Sequence, residues 1–228
     1  MTAVWTYAST GGERYPVEPG QLWSAGRHFL ACGDLQKGDA RRLMTRLSVT
    51  PDVVYTDPPW NASNAGAFRT KAGVPSRVAF RLFLKDVVST VSLVRRYAFI
   101  EMGVHEADAL ADIIIDAGGD ILHRWMITYY RVKPAVLFCA TWTKQPALDC
   151  DLTGLNDTVT PMYALEAVRT KGTAETVLDC CSGRGLTARS AHGLGYDFIG
   201  LELSRWRMSA ALHSLTQFGC NIRLEGKL

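Results

Sequence analysis

The strongest constraint on this chain is an alternation. Short apolar runs rich in β-branched and aromatic residues (DVVYT at 52–56, YAFIEMG at 97–103, TVLD at 176–179 and YDFIGLE at 196–202) are separated by stretches with helix-spaced apolar residues. An unbroken apolar run is what a strand covered on both faces needs, whereas a half-solvated strand alternates. Leu43, Met44 and Leu47 mark one intervening helix, Leu82, Phe83, Val87, Val91 and Val94 mark another over 80–96, and 106–116 reads as a third. RHFLACGD at 27–34 adds a further short run, and YALEAVRTKG at 163–172 reads as a helix capped by Gly172. The segments 121–132 and 135–142, joined at Lys133-Pro134, read as two strands with a tight turn between them. The expectation is an α/β, doubly wound, mostly parallel seven-stranded sheet with one antiparallel edge hairpin.

A chain of 228 residues with 47% apolar content can bury one sizeable core. Residues 1–21 are rich in Gly, Thr, Tyr and Pro without sustained period and read as an N-terminal arm, leaving 22–228 as a single domain. The net charge of +3 announces no basic tail and leaves the choice of partner open. Six cysteines without C-x-x-C spacing suggest reduced thiols in a cytoplasm. The start does not resemble a signal peptide, and no apolar run approaches the ~20 residues of a membrane span, so a soluble protein is expected. The five histidines, His105 and His123 among them, show no ligand spacing, and no metal is expected.

In doubly wound sheets ligands bind beyond the carboxyl ends of the strands, and here those ends carry chemistry. Asp179-Cys180-Cys181-Ser182-Gly183-Arg184-Gly185-Leu186-Thr187-Ala188 fits G-x-G-x-x-A between a strand and a helix. Gly183 permits a tight turn, and Gly185 is expected to let a ligand approach the backbone. Glu202 ends the next strand, where an acid can accept hydrogen bonds from both ribose hydroxyls of an adenosyl group. Two glycines also suit an ordinary strand-to-helix turn. Cys180 and Cys181 read as small packing residues, since no second pair is placed to exchange with them.

Asp57-Pro58-Pro59-Trp60 follows the strand DVVYT. Proline disfavours helical geometry in the preceding residue and has no N–H, so the corner is stiff and extended and presents acceptors. The Asp57 carboxylate and the Pro58 carbonyl can accept both hydrogens of one exocyclic amine while Trp60 stacks on the ring that bears it. Alone, the tetrapeptide also suits a turn with a tryptophan packed beneath it. From Pro58 to Lys85 there is no acid, whereas Arg69, Lys71, Arg77, Arg81 and Lys85 are basic. A basic loop with Phe68 or Phe80 as a stacking surface suits phosphates and bases, and a merely solvated face stands beside that reading.

Together these residues resemble the S-adenosylmethionine-dependent amino-methyltransferases of DNA, in the permuted beta class where an Asp-Pro-Pro-aromatic motif precedes the glycine loop. The resemblance covers nearly all of the chain after the arm. It implies catalytic roles for Asp57, Pro58, Pro59 and Trp60. It implies a cofactor site, for S-adenosyl-L-methionine, from Asp57, Asp179, Cys180, Cys181, Gly183, Gly185, Glu202 and Leu203. Asp34 would lie beside the adenine, and Thr160 would open the short segment preceding the glycine loop. Asn61, Arg69, Lys71 and Arg77 would meet nucleic acid. The family usually has Pro-Phe where Cys180-Cys181 stand and Gly-Ser-Gly-Thr-Thr where Gly183 to Thr187 stand. No added target-recognition region is evident, so specificity is short or comes from a partner subunit or a homodimer. The implied activity is methyl transfer to the N6 amine of adenine in double- or single-stranded DNA, with the base flipped out beside Trp60. Cytosine-N4, RNA adenine-N6 and a catalytically silent nucleic-acid-binding subunit stay open. A nicotinamide oxidoreductase would leave the proline corner unexplained and has too little chain after Gly185.

Overall fold

Val53, Val54, Tyr55 and Thr56 are all buried, which is possible only in a strand with cover on both faces. In the computed structural model, which describes residues 15–130, 132–170 and 175–228, the chain opens with β1 (Gln21–Ala25), β2 (His28–Cys32), a 3-10 turn at Leu35–Lys37, α1 (Asp39–Leu47) and β3 (Val53–Thr56). It continues through α2 (Ala62–Lys71), α3 (Phe80–Val91), β4 (Tyr97–Gly103), α4 (Ala107–Asp116), β5 (Asp120–Tyr129) and β6 (Lys133–Thr141). The last part is α5 (Thr160–Ala167), β7 (Thr176–Asp179), α6 (Leu186–Leu194), β8 (Asp197–Glu202), α7 (Arg205–Gln217) and β9 (Ile222–Lys227).

These strands form one sheet in the order β5-β6-β4-β3-β7-β8-β2-β1-β9. The central strands β4, β3, β7, β8 and β2 pair in parallel, and the flanking pairs are antiparallel. The sheet therefore has nine strands, not the expected seven, and antiparallel pairing at both flanks, not in one hairpin. Two strands escape pattern reading for physical reasons. QLWSA abuts a glycine-rich stretch and turns at once through Gly26-Arg27 into β2, and IRLEGK is a largely exposed edge strand whose apolar residues are interrupted by charge. Lys133 and Pro134 belong to β6, opposite Tyr129 and Thr128, and not to the turn. Pro134 on an exposed ladder end loses little by lacking an N–H.

Alternate strand residues face opposite layers. Val53, Tyr55, Phe99 and Val177 pack with α5, α6 and α7, whereas Val54, Ile100, Leu178 and Leu201 pack with α1, α3 and α4. Residues of α2 belong to neither cluster. This segment was expected to be a loop, because its few apolar residues line no single face, yet Asn61 caps it by accepting the Asn64 N–H at 2.8 Å. The helix expected over 163–172 runs from Thr160 to Ala167, and its proposed Gly172 cap lies outside the described residues. All six cysteines are free thiols. Among the described residues no helix is long and apolar enough to cross a membrane.

Candidate active site

The carboxyl ends of β2, β3, β7 and β8 open into one cleft. Asp34, Asp57, Pro59, Cys180, Cys181, Glu202 and Leu203 all line it, so residues from widely separated motifs converge there. Arg69 lines it as well. Pro58, Trp60, Asn61, Lys71, Arg77, Thr160, Asp179, Gly183 and Gly185 stand outside its lining.

At the proline corner the Trp60 indole N–H donates to Asp57 Oδ1 at 2.8 Å. This fixes the carboxylate and leaves Oδ2 without a protein donor among the described residues. The indole rests on the end of β4, where a Cβ at Gly103 would lie 3.0 Å from its Cε3, and meets Tyr129 edge-on at 4.7 Å between ring centres. Trp60 is thus half-buried and anchored on three sides, more constrained than a free stacking platform. Burial pushes the Asp57 carboxyl up to about 7 against the pull of the indole N–H, and Asp179 and Asp157 push it further.

The glycine loop is held from within. Asp179 accepts from Thr56 Oγ1 at 3.0 Å, from the Cys181 N–H at 3.0 Å and from Thr187 Oγ1 at 2.7 Å. It therefore ties β3 and β7 to the start of α6, and burial still raises its carboxyl to about 6. Gly183 has φ 55° and makes the tight turn expected of it. Gly185 has a different use from the one expected. With φ 80°, its absent Cβ would meet Ala211 Cβ at 2.9 Å, so the glycine admits α7 against α6. Glu202, 8% exposed, accepts the Gly183 N–H through Oε2 and the Ser204 N–H through Oε1, both at 2.8 Å. Burial lifts its carboxyl to about 7, opposed by the Ser204 N–H and by Arg207. Cys181 hydrogen-bonds with Cys180, and this and burial keep its thiol protonated far above neutral pH, which suits packing and not nucleophilic chemistry.

Helix α2 covers the cleft through Ala65, Phe68 and Arg69. Arg69, expected to meet phosphate, is instead committed to the cleft wall. Its Nη1 lies 3.1 Å from Asp34 Oδ2 and 2.9 Å from Gln36 Oε1, while Nε donates to the Pro75 carbonyl. The reason is electrostatic, since Asp34 is buried and the guanidinium supplies its counter-charge. Asp34 also accepts the Gln36 N–H at 3.1 Å as an N-cap. Phe68 lies under Arg207, 4.2 Å from guanidinium to ring centre. Phe80 stacks on Phe83 at the core margin, away from any stacking role. Lys71 and Arg77 are exposed, as are Arg81 and Lys85. Thr160 is fully buried and its hydroxyl donates to the Asn156 carbonyl.

Three contributors were not read from the sequence. Glu101, 2% exposed, takes the Tyr55 hydroxyl on Oε1 and leaves Oε2 buried without a partner. Burial and Asp57 drive its carboxyl well above the ordinary range. A glutamate inside the apolar run YAFIEMG was the available signal. Asp157, with Oδ1 also unpartnered, precedes α5 and acts on Asp57 and Glu101. Arg207 opens α7 after the Ser204 cap and is the cation set against Asp57 and Glu202. Away from the cleft, the histidines prove less scattered than their spacing implied, because His28, His192 and Cys220 meet with ligand atoms within 4.8 Å. His28 Nδ1 accepts the Phe198 N–H, so Nε2 carries the proton and donates to His192 Nδ1 at 2.9 Å. The cluster is satisfied internally by that chain of hydrogen bonds, and burial holds His28 neutral, down to about 4.

No protein-family model and no curated protein matches the sequence. The fold does have solved counterparts. M1.HpyAVI, 16% identical, matches over 82% of this chain and 97% of its own with TM-score 0.60, and its complex with SAM gives the same TM-score at 14% identity. TTHA0409 of Thermus thermophilus, described as a DNA modification methylase, is 16% identical over 79% of this chain and 92% of its own, with TM-score 0.59. The same protein complexed with S-adenosyl-L-methionine matches at 14% identity over 83% and 93%, with TM-score 0.56. At these identities the likeness is one of fold.

Proposed function

We propose that this protein is an S-adenosylmethionine-dependent DNA methyltransferase acting on the N6 amine of adenine. The observation that carries the reading is the meeting of the Asp57 corner and Glu202 in one cleft, an amine acceptor beside a ribose acceptor. The charge pattern fits such a cofactor. Asp57, Glu101, Asp157, Asp179 and Glu202 all have raised proton affinity, and two of them leave an oxygen buried and unpaired. Burial contributes most to each shift, and a positively charged ligand would stabilise the ionised forms. Two proteins of the same fold, M1.HpyAVI and TTHA0409, have been crystallised with this cofactor.

S-adenosylmethionine carries an ammonium and a sulfonium, and when bound it supplies an electrophilic methyl group. The rest falls to this chain. Glu202 would hold the ribose hydroxyls, with Leu203 beside it and Asp34 towards the adenine. Asp57 Oδ2 and the Pro58 carbonyl accept the two N–H bonds of the target amine, which frees its lone pair from the ring and aims it at the methyl carbon. On methyl transfer the amine nitrogen would gain positive charge. Asp57 stabilises that charge and takes the departing proton, a task suited to a carboxyl near 7. Trp60 holds Asp57 in register through its indole N–H. Lys71, Arg77 and Asn61 are exposed and would meet the nucleic-acid backbone.

Expression in a methylation-free host followed by nucleoside mass spectrometry tests this reading. N6-methyladenine in the DNA is expected. N4-methylcytosine would move the target base, methyladenine in RNA alone would move the polymer, and no methylation by a chain that binds the cofactor would favour the silent-subunit alternative.

A further inference from the structure

We infer that the tip of the β5–β6 hairpin is a nucleic-acid-gripping element that inserts Tyr130 and Val132 into the base stack beside the target base. The inference rests on the proposed methyltransferase reading and adds an element and a partner contact to it. Tyr130 is 72% exposed and Val132 78% exposed, the two most exposed large apolar residues among those described. Both lie in the connection between β5 and β6.

The tip is continuous with the proposed site. Tyr129, the last residue of β5, meets Trp60 edge-on, and Trp60 in turn holds Asp57. Tyr130 stands perpendicular to Tyr129 with 4.6 Å between ring centres. An unbroken aromatic path thus leads from the amine acceptor to solvent. The hairpin is also tied to the segment before α5. The Thr128 N–H donates to the Leu155 carbonyl at 2.9 Å, the Asp157 N–H returns to the Thr128 carbonyl at 2.8 Å, and Asp157 accepts the Tyr130 backbone N–H. Tyr130 itself has φ 47°, a left-handed conformation that side-chain-bearing residues adopt at a cost. An exposed aromatic kept in a strained turn next to a cleft is poorly explained by folding.

Charge and chemistry select the occupant. The sequence YYRVK at 129–133 holds two cations and no acid, with Lys133 exposed, and the acid-free stretch 58–85 that contains Trp60 exposes Lys71 and Arg77. Aromatic and β-branched side chains amid cations match a polyanion with stacked bases, where apolar wedges fill the gap left by an unstacked base. An acidic protein surface could meet the cations but would offer no base stack for Tyr130.

The test is fluorescence anisotropy of an unmodified random-sequence DNA pool, single-stranded and duplex, with S-adenosylhomocysteine present, alongside methyl transfer to the same pool. Tyr130→Ala should weaken DNA binding by about 5- to 150-fold, and Tyr130→Phe should restore most of it. Cofactor affinity and Tm should stay at the wild-type values in both. Equal DNA affinity of Tyr130→Ala and wild type would overturn the inference, even where wild type methylates DNA normally. A wild-type protein that binds DNA through the tip without methylating anything would sink the catalytic reading and keep the tip. A wild-type dimer that Tyr130→Ala dissociates would make the tip a protein interface and overturn the inference.

Discussion

Replacing Glu202 by alanine should change the pH dependence of stability in a calculable way. The carboxyl moves from an ordinary 4.5 to about 7 on folding, which corresponds to roughly 3 kcal/mol of preference for the protonated form. The folded state therefore holds a proton that the unfolded chain releases between these values. Stability from this group is full below about 4.5, declines as pH rises toward 7 and is flat above it. The Glu202→Ala chain lacks that decline. It also leaves the Gly183 and Ser204 N–H groups without their acceptor, at about 1–3 kcal/mol each where water cannot reach them. Urea denaturation of both proteins without cofactor, from pH 4.5 to pH 8, gives the difference. The variant should be most destabilised near pH 4.5, and the gap should narrow by roughly 3 kcal/mol by pH 7.5. Asp57 and Asp179 titrate in both proteins and largely cancel. In a cofactor titration the same variant should bind S-adenosylmethionine about 5- to 150-fold more weakly, the loss expected for two hydroxyl contacts. A gap that stays constant across pH would refute the assignment of Glu202 as a buried, proton-retaining carboxylate.

Two further outcomes follow from the same geometry. Gly185→Ala should destabilise the fold by about 2–4 kcal/mol, combining a left-handed residue with a Cβ driven into Ala211; adding Ala211→Gly should recover the packing part and not the backbone part in thermal melts. Neutralising Lys71 and Arg77 together should flatten the log–log salt dependence of duplex-DNA binding by about 2, whereas Arg69→Gln should leave the slope unchanged because its charge is spent on Asp34. A slope change for Arg69→Gln equal to that of either lysine or arginine neutralised singly would contradict the Asp34 pairing.

What was legible in the sequence followed from burial on two faces. Strands β3, β4, β7 and β8 carry continuous apolar runs, so the strands and the loaded residues after them could be read from pattern alone, and Asp34, Asp57 and Glu202 do converge on one cleft. Exposed elements left no such trace. Strand β9 mixes charge with apolar residues, and α2 has no apolar stripe, so neither announced itself. Pairings were invisible for a different reason. Arg69 looked like one of five free cations because its partner, Asp34, is brought to it only by the sheet, and the same holds for His28 with His192. Gly185 was assigned to ligand approach because the glycine fingerprint does not say which neighbour needs the missing Cβ; here it is Ala211.

If Asp57 accepts the amine and its proton during transfer, replacing it must slow the chemistry and spare cofactor binding. Single-turnover transfer of a labelled methyl group from S-adenosylmethionine to unmethylated DNA, run on wild type and on Asp57→Asn with a cofactor titration of each, tests it most directly. The amide keeps the size of the side chain and an acceptor for the Trp60 indole, so the corner should stay folded. The wild-type rate should rise with pH through about 7. Asp57→Asn should bind the cofactor within a few-fold of wild type and transfer methyl at least ~100-fold more slowly at every pH. Transfer by Asp57→Asn at the wild-type rate, or a wild-type rate indifferent to pH across that range, would reduce the proline corner to a turn and contradict the mechanism.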